Sequence, residues 1–393
     1  MGNQITFVAM PLAAVVTLQA TATETGILRA LVALPNLLLG MVAGVWIDRL
    51  PRRRVLITAE LVAAALLATI PLAAILHRLV LAQLLAVAFL SSAAGLFGLL
   101  AAAAYLPALV GREALVDANS KLAMTFSTLN IVGSGVAGFL VQLLTAPIAI
   151  VSDSALSTLA AAVYMAIRRP EPARPTARRA LRLEVAEGIG VVLRNGLLRA
   201  QLLVVGSFNL FSALAQAVLV LYMARQLHLQ PAGIGLVFAA SGPGALLGAF
   251  LARRLANRLG VGPAILIGAL VFGLGWTIAP LAAGTPLAAT LVLMAGQFLL
   301  YGGSLIANVN ISSLRQAMTP DRLLGRVNGT MLFVFQGVTP IGALAGGVIG
   351  QLAGPRLALG VAAAGTLGAM VGILFSPLAR VRTLAEVPQV AES

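Results

Sequence analysis

The sequence predicts an all-α integral membrane protein with twelve transmembrane helices. Three observations carry this prediction. Apolar stretches long enough to cross a bilayer fill nearly the whole chain. Of its 393 residues, 60% are hydrophobic and only 10% charged, too few charges for a soluble protein of this size. The basic residues between the stretches fall almost entirely on one side. A crossing helix needs about 20 apolar residues. Hydrocarbon offers no water to backbone polar groups, so only helices or a closed barrel can span it. The stretches lack the period-two alternation of barrel strands and therefore read as helices.

The predicted spans are 3–21, 26–47, 54–76, 79–105, 118–144, 147–167, 201–225, 231–256, 262–282, 287–313, 323–350 and 355–378. The even-numbered connections and the C-terminal tail hold 22 of the Lys and Arg residues. The opposite side keeps only Arg29, Arg78, Arg225 and Arg356. Basic loops stay cytoplasmic, so both termini are expected in the cytoplasm of a bacterium, with the chain in the inner membrane. The net charge of +14 is spread over these short loops, which excludes the single basic patch of a nucleic-acid binder. The chain has no cysteine, so disulfides, thiol catalysis and thiolate metal sites are excluded. His77 and His228 lie in separate predicted outer loops, and no metal site is expected from them.

Four segments follow: a six-helix half over 1–167, a linker over 168–200, a second six-helix half over 201–380, and a tail over 381–393. The linker begins RRPEPARPTARR, extended by its Pro and Arg content. It continues LRLEVAEGIGVVL, where Leu181, Val185, Ile189 and Val192 share one helical face, as in a helix lying in the inner membrane surface. The halves read as pseudo-repeats. A shift of 209 residues superimposes Asn119 on Asn328, Gly133 on Gly342, Gly138 on Gly347, Gln142 on Gln351 and Leu143 on Leu352. Two parallel repeats with a site at their interface are a recurring transporter plan. Gly40/Gly44, Gly244/Gly248, Gly346/Gly350 and Gly368/Gly372 are spaced for close helix packing. Pro35, Pro243 and Pro340 are candidate kinks.

The sharpest local signal is GVWIDRLPRRR at 44–54, where the second span reaches the cytoplasm. Asp48 faces the negative end of a helix dipole and needs a cationic or helix-N-terminal partner. Here the chain resembles the major facilitator superfamily. That family carries Gly-x-x-x-Asp-Arg-x-x-Arg-Arg between helices two and three, matched by Gly44, Asp48, Arg49, Arg52 and Arg53. The resemblance implies that this group latches the two halves together on the cytoplasmic side when the cavity opens outward. The corresponding segment of the second half, GAFLARRLANR, has Ala252 at the Asp position, so the latch is asymmetric. The start of helix eleven, with Asp321, Arg322 and Arg326 in TPDRLLGRVNG, is the expected partner. PALVGREALVDANS, APIAIVSDSALS and TPDRLLGRVNG together resemble the macrolide-efflux and siderophore-exporter branch. Such exporters often carry Gly-Pro in helix five, where this chain has Gly133-Ser134.

Carboxylates inside spans are costly and point to function. Asp153 in helix six and Glu60 in helix three are the candidates for carrying a coupled proton. The helices that line such cavities supply Asn209, Gln216, Asn308, Asn310, Phe208, Phe211 and Phe97 as substrate-cavity candidates. Helix four carries no charge, and an apolar pocket with a few amides suits an amphiphilic molecule. Neither a phosphate loop nor a nucleophile–base pair is present, so no cofactor and no enzymatic activity are expected.

The predicted function is proton-driven export of an amphiphilic small molecule, a drug, antibiotic or siderophore, by a monomer embedded in lipid. The alternatives are a metabolite importer, a lysophospholipid transporter, or a non-transporting sensor or scaffold. MGNQITFVAMPL corresponds to the middle of helix one in the resembling family, so the first helix is expected to be truncated.

Overall fold

The computed structural model describes residues 2–111, 114–167 and 181–383. Every regular element among them is helical: α1 (Gly2–Leu12), α2 (Ala22–Arg49), α3 (Arg52–Ile75), α4 (Leu81–Val110), α5 (Leu115–Leu144), α6 (Ala146–Ala166), α7 (Leu181–Arg194), α8 (Gly196–Leu221), α9 (Pro231–Ala239), α10 (Ser241–Leu259), α11 (Val261–Ile278), α12 (Pro286–Met318), α13 (Asp321–Ala353) and α14 (Pro355–Leu374). With α9 and α10 counted as one span and α7 set aside, they make twelve. Among the described residues, ten candidate spans are long and apolar enough to cross a membrane, and Gly2–Thr17 and Val132–Leu144 are shorter apolar helices.

Local chemistry sets several of these boundaries. Thr21 and Glu24 form a reciprocal capping box at the start of α2: the Thr21 N–H donates to Glu24 Oε2 at 2.7 Å, and the Glu24 N–H donates to Thr21 Oγ1 at 3.3 Å. This pairing satisfies helix-terminal donors that would otherwise be orphaned. Thr285 caps α12 ahead of Pro286, and Asn195 Oδ1 accepts from the N–H groups of Leu197 and Leu198 at the start of α8.

The 209-residue repeat reaches into backbone detail. α1 runs into a π-helical turn at Ala13–Thr17, and α8 into one at Tyr222–Gln226. Each turn is closed by equivalent bonds, Leu18 N–H to Ala13 O and Leu227 N–H to Tyr222 O. Left-handed residues follow at Gln19 (φ 54°) and His228 (φ 53°). The same shift relates Thr145 (φ 79°) to Gly354 (φ 88°), which separate α5 from α6 and α13 from α14. Two repeats therefore share a local backbone trace, although few side chains coincide.

The chain divides into two compact units. Unit 1 is Met1–Thr176 with Val220–Ala239; unit 2 is Ala177–Leu219 with Ala240–Ser393. The arginine-poor ends of the seventh and eighth spans thus belong with the first six. One division falls at the break between α9 and α10. Pro243 lacks the N–H that would bond the Ala239 carbonyl, and the helix is interrupted at Ala240. Pro35 and Pro340, in contrast, lie inside the unbroken α2 and α13.

Residues 168–180 of the linker lie outside the described residues. The predicted amphipathic helix is present as α7, but it does not present one uniform face. Val192 is fully buried, whereas Ile189 is exposed. The helix approaches α13 through Gly188, where an added Cβ would lie 2.6 Å from Thr330 Oγ1. Among the predicted glycine pairs, Gly244 and Gly248 press on the backbone of α12 at Phe298 and Gly302. Gly40, Gly368 and Gly372 meet nothing within 4 Å.

Candidate functional site

Unit 1 holds both proton-coupling candidates, in a polar seam between α1, α6 and α3. Asp153 is only 2% exposed and accepts a hydrogen bond from the Thr6 hydroxyl of α1. Ser157 lies one turn along the same face of α6, the i,i+4 relation that makes side chains neighbours. Its hydroxyl lies close to the Glu60 carboxyl of α3. Ser154 ties the same two helices by donating to the Ala64 carbonyl at 2.8 Å. Glu60 lies about 12 Å from the arginine-rich start of α3, and Asp153 about 10 Å from the arginine-poor start of α6, at 1.5 Å per residue. The two carboxylates therefore approach the membrane interior from opposite ends.

At the arginine-poor end, α5 and α9 touch backbone to backbone. A Cβ on Gly138 would lie 2.6 Å from Gly235 Cα, and one on Gly235 would lie 2.7 Å from Gly138 Cα. Gln142 Oε1 accepts from the Ala232 N–H at 3.2 Å, satisfying a donor in the first turn of α9. Arg225, in the second π turn, donates to the Val15 carbonyl at 3.0 Å and to Gln19 Oε1 at 3.3 Å. Ser134, the departure from Gly-Pro, is buried and donates to Gln4 Oε1 at 3.3 Å.

At the arginine-rich end the predicted latch residues have nearby uses. Arg52 donates to the Ala104 carbonyl of α4 at 2.9 Å. Arg53 donates to the carbonyls of Tyr164 at 3.0 Å and Met165 at 2.6 Å, in the last turn of α6. Those carbonyls lie at the negative end of the helix dipole, where a cation is favoured. Arg49 is exposed. The side chains of Gly44, Asp48 and Asp321 lie outside the described ones. Phe97 packs beside Trp46, ring centroids 6.2 Å apart, against a core of Ile47, Val55, Leu56, Ala101 and Tyr105.

The remaining cavity candidates lie in unit 2. Asn209 returns a hydrogen bond to the Val205 carbonyl of its own helix at 2.9 Å. Phe208 is 5.0 Å from Phe272, centroid to centroid, and Phe211 covers Gly365, where a Cβ would lie 2.2 Å from the ring. Asn310 is buried and donates to the Ala252 carbonyl of α10 at 3.3 Å and to Ile306 O at 2.8 Å. Its amide ties α12 to α10. Asn308 is exposed and Gln216 partly buried. Arg322 is exposed and Arg326 partly buried, on the first turns of α13. Among the described residues no group of His, Cys, Asp and Glu could hold a metal ion.

Sequence reasoning passed over Gln201, fully buried on α8, whose amide meets no hydrogen-bond partner among the described residues. It counted Arg225 only as a minority charge of one face, and placed Arg29 near the outer end of helix two without giving it a role. The positions of their side chains depend on contacts between helices far apart in the chain, for which no local signal exists.

The chain is similar along most of its length to named exporters. It is 28% identical over 381 residues to the multidrug efflux pump Tap of Mycolicibacterium fortuitum, covering 92% of this chain and 91% of that one. It is 29% identical over 372 residues to the enterobactin exporter EntS of Citrobacter koseri, covering 88% and 82%. Among solved structures, the nucleoside transporter NupG matches with a TM-score of 0.69 at 13% identity, covering 95% of this chain and 98% of that one. A bacterial homologue of the iron transporter ferroportin matches with a TM-score of 0.72 at 19% identity, covering 95% and 96%. These structural likenesses concern the fold alone. The Major Facilitator Superfamily profile matches residues 1–218 and 202–391. With the twelve spans among the described residues and the 209-residue repeat, the chain is a multi-pass membrane transporter and belongs to the Major Facilitator Superfamily.

Proposed function

We propose that the chain exports an amphiphilic small molecule, a drug or a siderophore, across the bacterial inner membrane by proton antiport with alternating access. The observation that carries this reading is the likeness, along about nine-tenths of the chain, to two proteins named for export. The arginine-rich face is cytoplasmic, with both termini there, by the distribution of basic loops. The two six-helix halves, 1–167 and 201–380, are the repeats that exchange access, and 168–200 joins them. Asp153 and Glu60 carry the proton. A carboxylate held inside a membrane is expensive when charged, and reversible protonation turns that cost into coupling. Asp48, with Arg49, Arg52, Arg53 and the start of α13, gates the cytoplasmic side. Asn209, Gln216, Asn308 and the phenylalanines face substrate in at least one state. Asn310 is the weakest of the cavity candidates, because its burial commits it to a helix contact.

The test is retention of a fluorescent lipophilic dye by efflux-deficient cells expressing the chain, with and without a protonophore, beside Asp48→Asn. Faster dye loss that collapses with the protonophore and with the substitution is expected. Equal dye loss from empty and expressing cells, with insertion verified, and no movement of a siderophore either, would refute export. Labelled lysophospholipid flipping in place of either would assign the chain to lipid movement.

A further inference from the structure

Resting on the transporter reading above, we propose that Arg29, Phe7 and Phe238 form a recognition point for the acidic aromatic group of the substrate. Arg29 is on α2, inside an apolar span running from Ala22 to Gly40. It lies seven residues from the start of that helix, about 10 Å deep at 1.5 Å per residue. A guanidinium at such depth is costly and by default serves a function. Its Cζ lies 5.4 Å from the centroid of the Phe7 ring of α1. Phe7 meets Phe238 of α9 edge to face, with centroids 5.5 Å apart. Two rings and one cation from three helices thus converge inside unit 1.

The level of this group within unit 1 is informative. Phe238 lies one turn beyond Gly235, on the side away from the arginine-poor surface. Ser134 lies one turn beyond Gly138 in the same direction, and it holds Gln4, which is one turn from Phe7 on α1. The group therefore lies close to the level of the backbone contact of α5 with α9. Arg29 and Phe7 are both partly buried and keep some exposed surface. A guanidinium presents a planar fork that fits a carboxylate. The flanking rings supply faces and edges for an aromatic body. A lipophilic cation of the same size would meet like charge here. The chemical class implied is an aromatic acid, which narrows the amphiphile of the general reading.

The test is binding of 1-pyrenebutyrate and of a pyrenebutyl-trimethylammonium cation, matched in ring and opposite in charge, to the purified chain in nanodiscs. Ring partitioning into lipid is common to both and cancels in the comparison. The unmodified chain is expected to bind the anion at least tenfold more tightly than the cation. Arg29→Gln is expected to abolish that preference, Arg29→Lys to restore part of it, and Phe7→Leu to weaken both probes several-fold. Gel filtration and thermal unfolding check that each variant is folded. No preference for the anion, or a preference that survives Arg29→Gln, would overturn the proposal. Dye efflux in cells is read separately: an anion preference without efflux leaves the recognition point standing and sinks export, and the reverse sinks only the recognition point.

Discussion

Replacing Gly235 with Ala tests the contact between α5 and α9. The added Cβ would lie 2.7 Å from Gly138 Cα, 2.8 Å from the Ser134 carbonyl oxygen and 2.9 Å from the Gly138 nitrogen. All three are backbone atoms, so no flexible side chain can give way. Carbon atoms pack at about 3.5–4.0 Å, so the helices must part by about 1 Å. That movement would stretch the bond from the Ala232 N–H to Gln142 Oε1 from its present 3.2 Å beyond hydrogen-bonding range. Overpacking of this kind costs about 1–3 kcal/mol. The packed arrangement should then lose about 5- to 150-fold in population against any state in which the two surfaces are apart. The cysteine-free chain allows a clean assay. A Cβ on Gly135 would lie 3.8 Å from Ala239 Cβ, which matches disulfide geometry. Gly135→Cys with Ala239→Cys should cross-link readily under mild oxidation. The added Gly235→Ala should slow that cross-linking at least fivefold. An unchanged rate in a folded protein would refute the reasoning.

Two further outcomes are expected. Asp153→Asn and Glu60→Gln, in proteoliposomes, should each abolish substrate accumulation driven by a pH gradient while sparing exchange of substrate for substrate; full gradient-driven transport in both variants would remove the seam from coupling. Thr145→Gly should raise thermal stability, because Thr145 holds φ 79° and ψ 156° at the junction of α5 and α6, a region where a β-branched residue costs about 1–3 kcal/mol. Glycine gives back roughly 0.5–1 kcal/mol in backbone entropy, leaving a net gain of about 1 kcal/mol by calorimetry or thermal fluorescence. A lowered melting temperature would show that the threonine is held by something other than strain.

Properties that are local along the chain were legible without any structure. Hydropathy over 20-residue windows located the spans because the bilayer imposes the same requirement on each of them. Thr319-Pro320-Asp321 marked the start of helix eleven because helix starts are decided within one turn. The 209-residue repeat was visible in α5 and α13 at five positions, and the paired π turns extend it to segments whose side chains differ. Both carboxylates of the seam, Glu60 and Asp153, could be singled out from depth alone. The hydrogen bond from Thr6 to Asp153 could not.

Contacts between distant segments were decided only by the tertiary structure. Arg225 reaches Val15 across 210 residues of sequence, and residues 220–239 join the first unit rather than the second. Arg53 donates to the last carbonyls of α6 and Asn310 to the backbone of α10, contacts across 111 and 58 residues of sequence that no local pattern announces. Among three candidate kinks only Pro243 interrupts its helix; Pro35 and Pro340 sit in helices that continue past them. Hydropathy and spacing report the free energy of placing one helix in lipid. Which polar side chain meets which carbonyl, ring or carboxylate depends on how separately stable helices pack, and that information is spread over residues hundreds of positions apart.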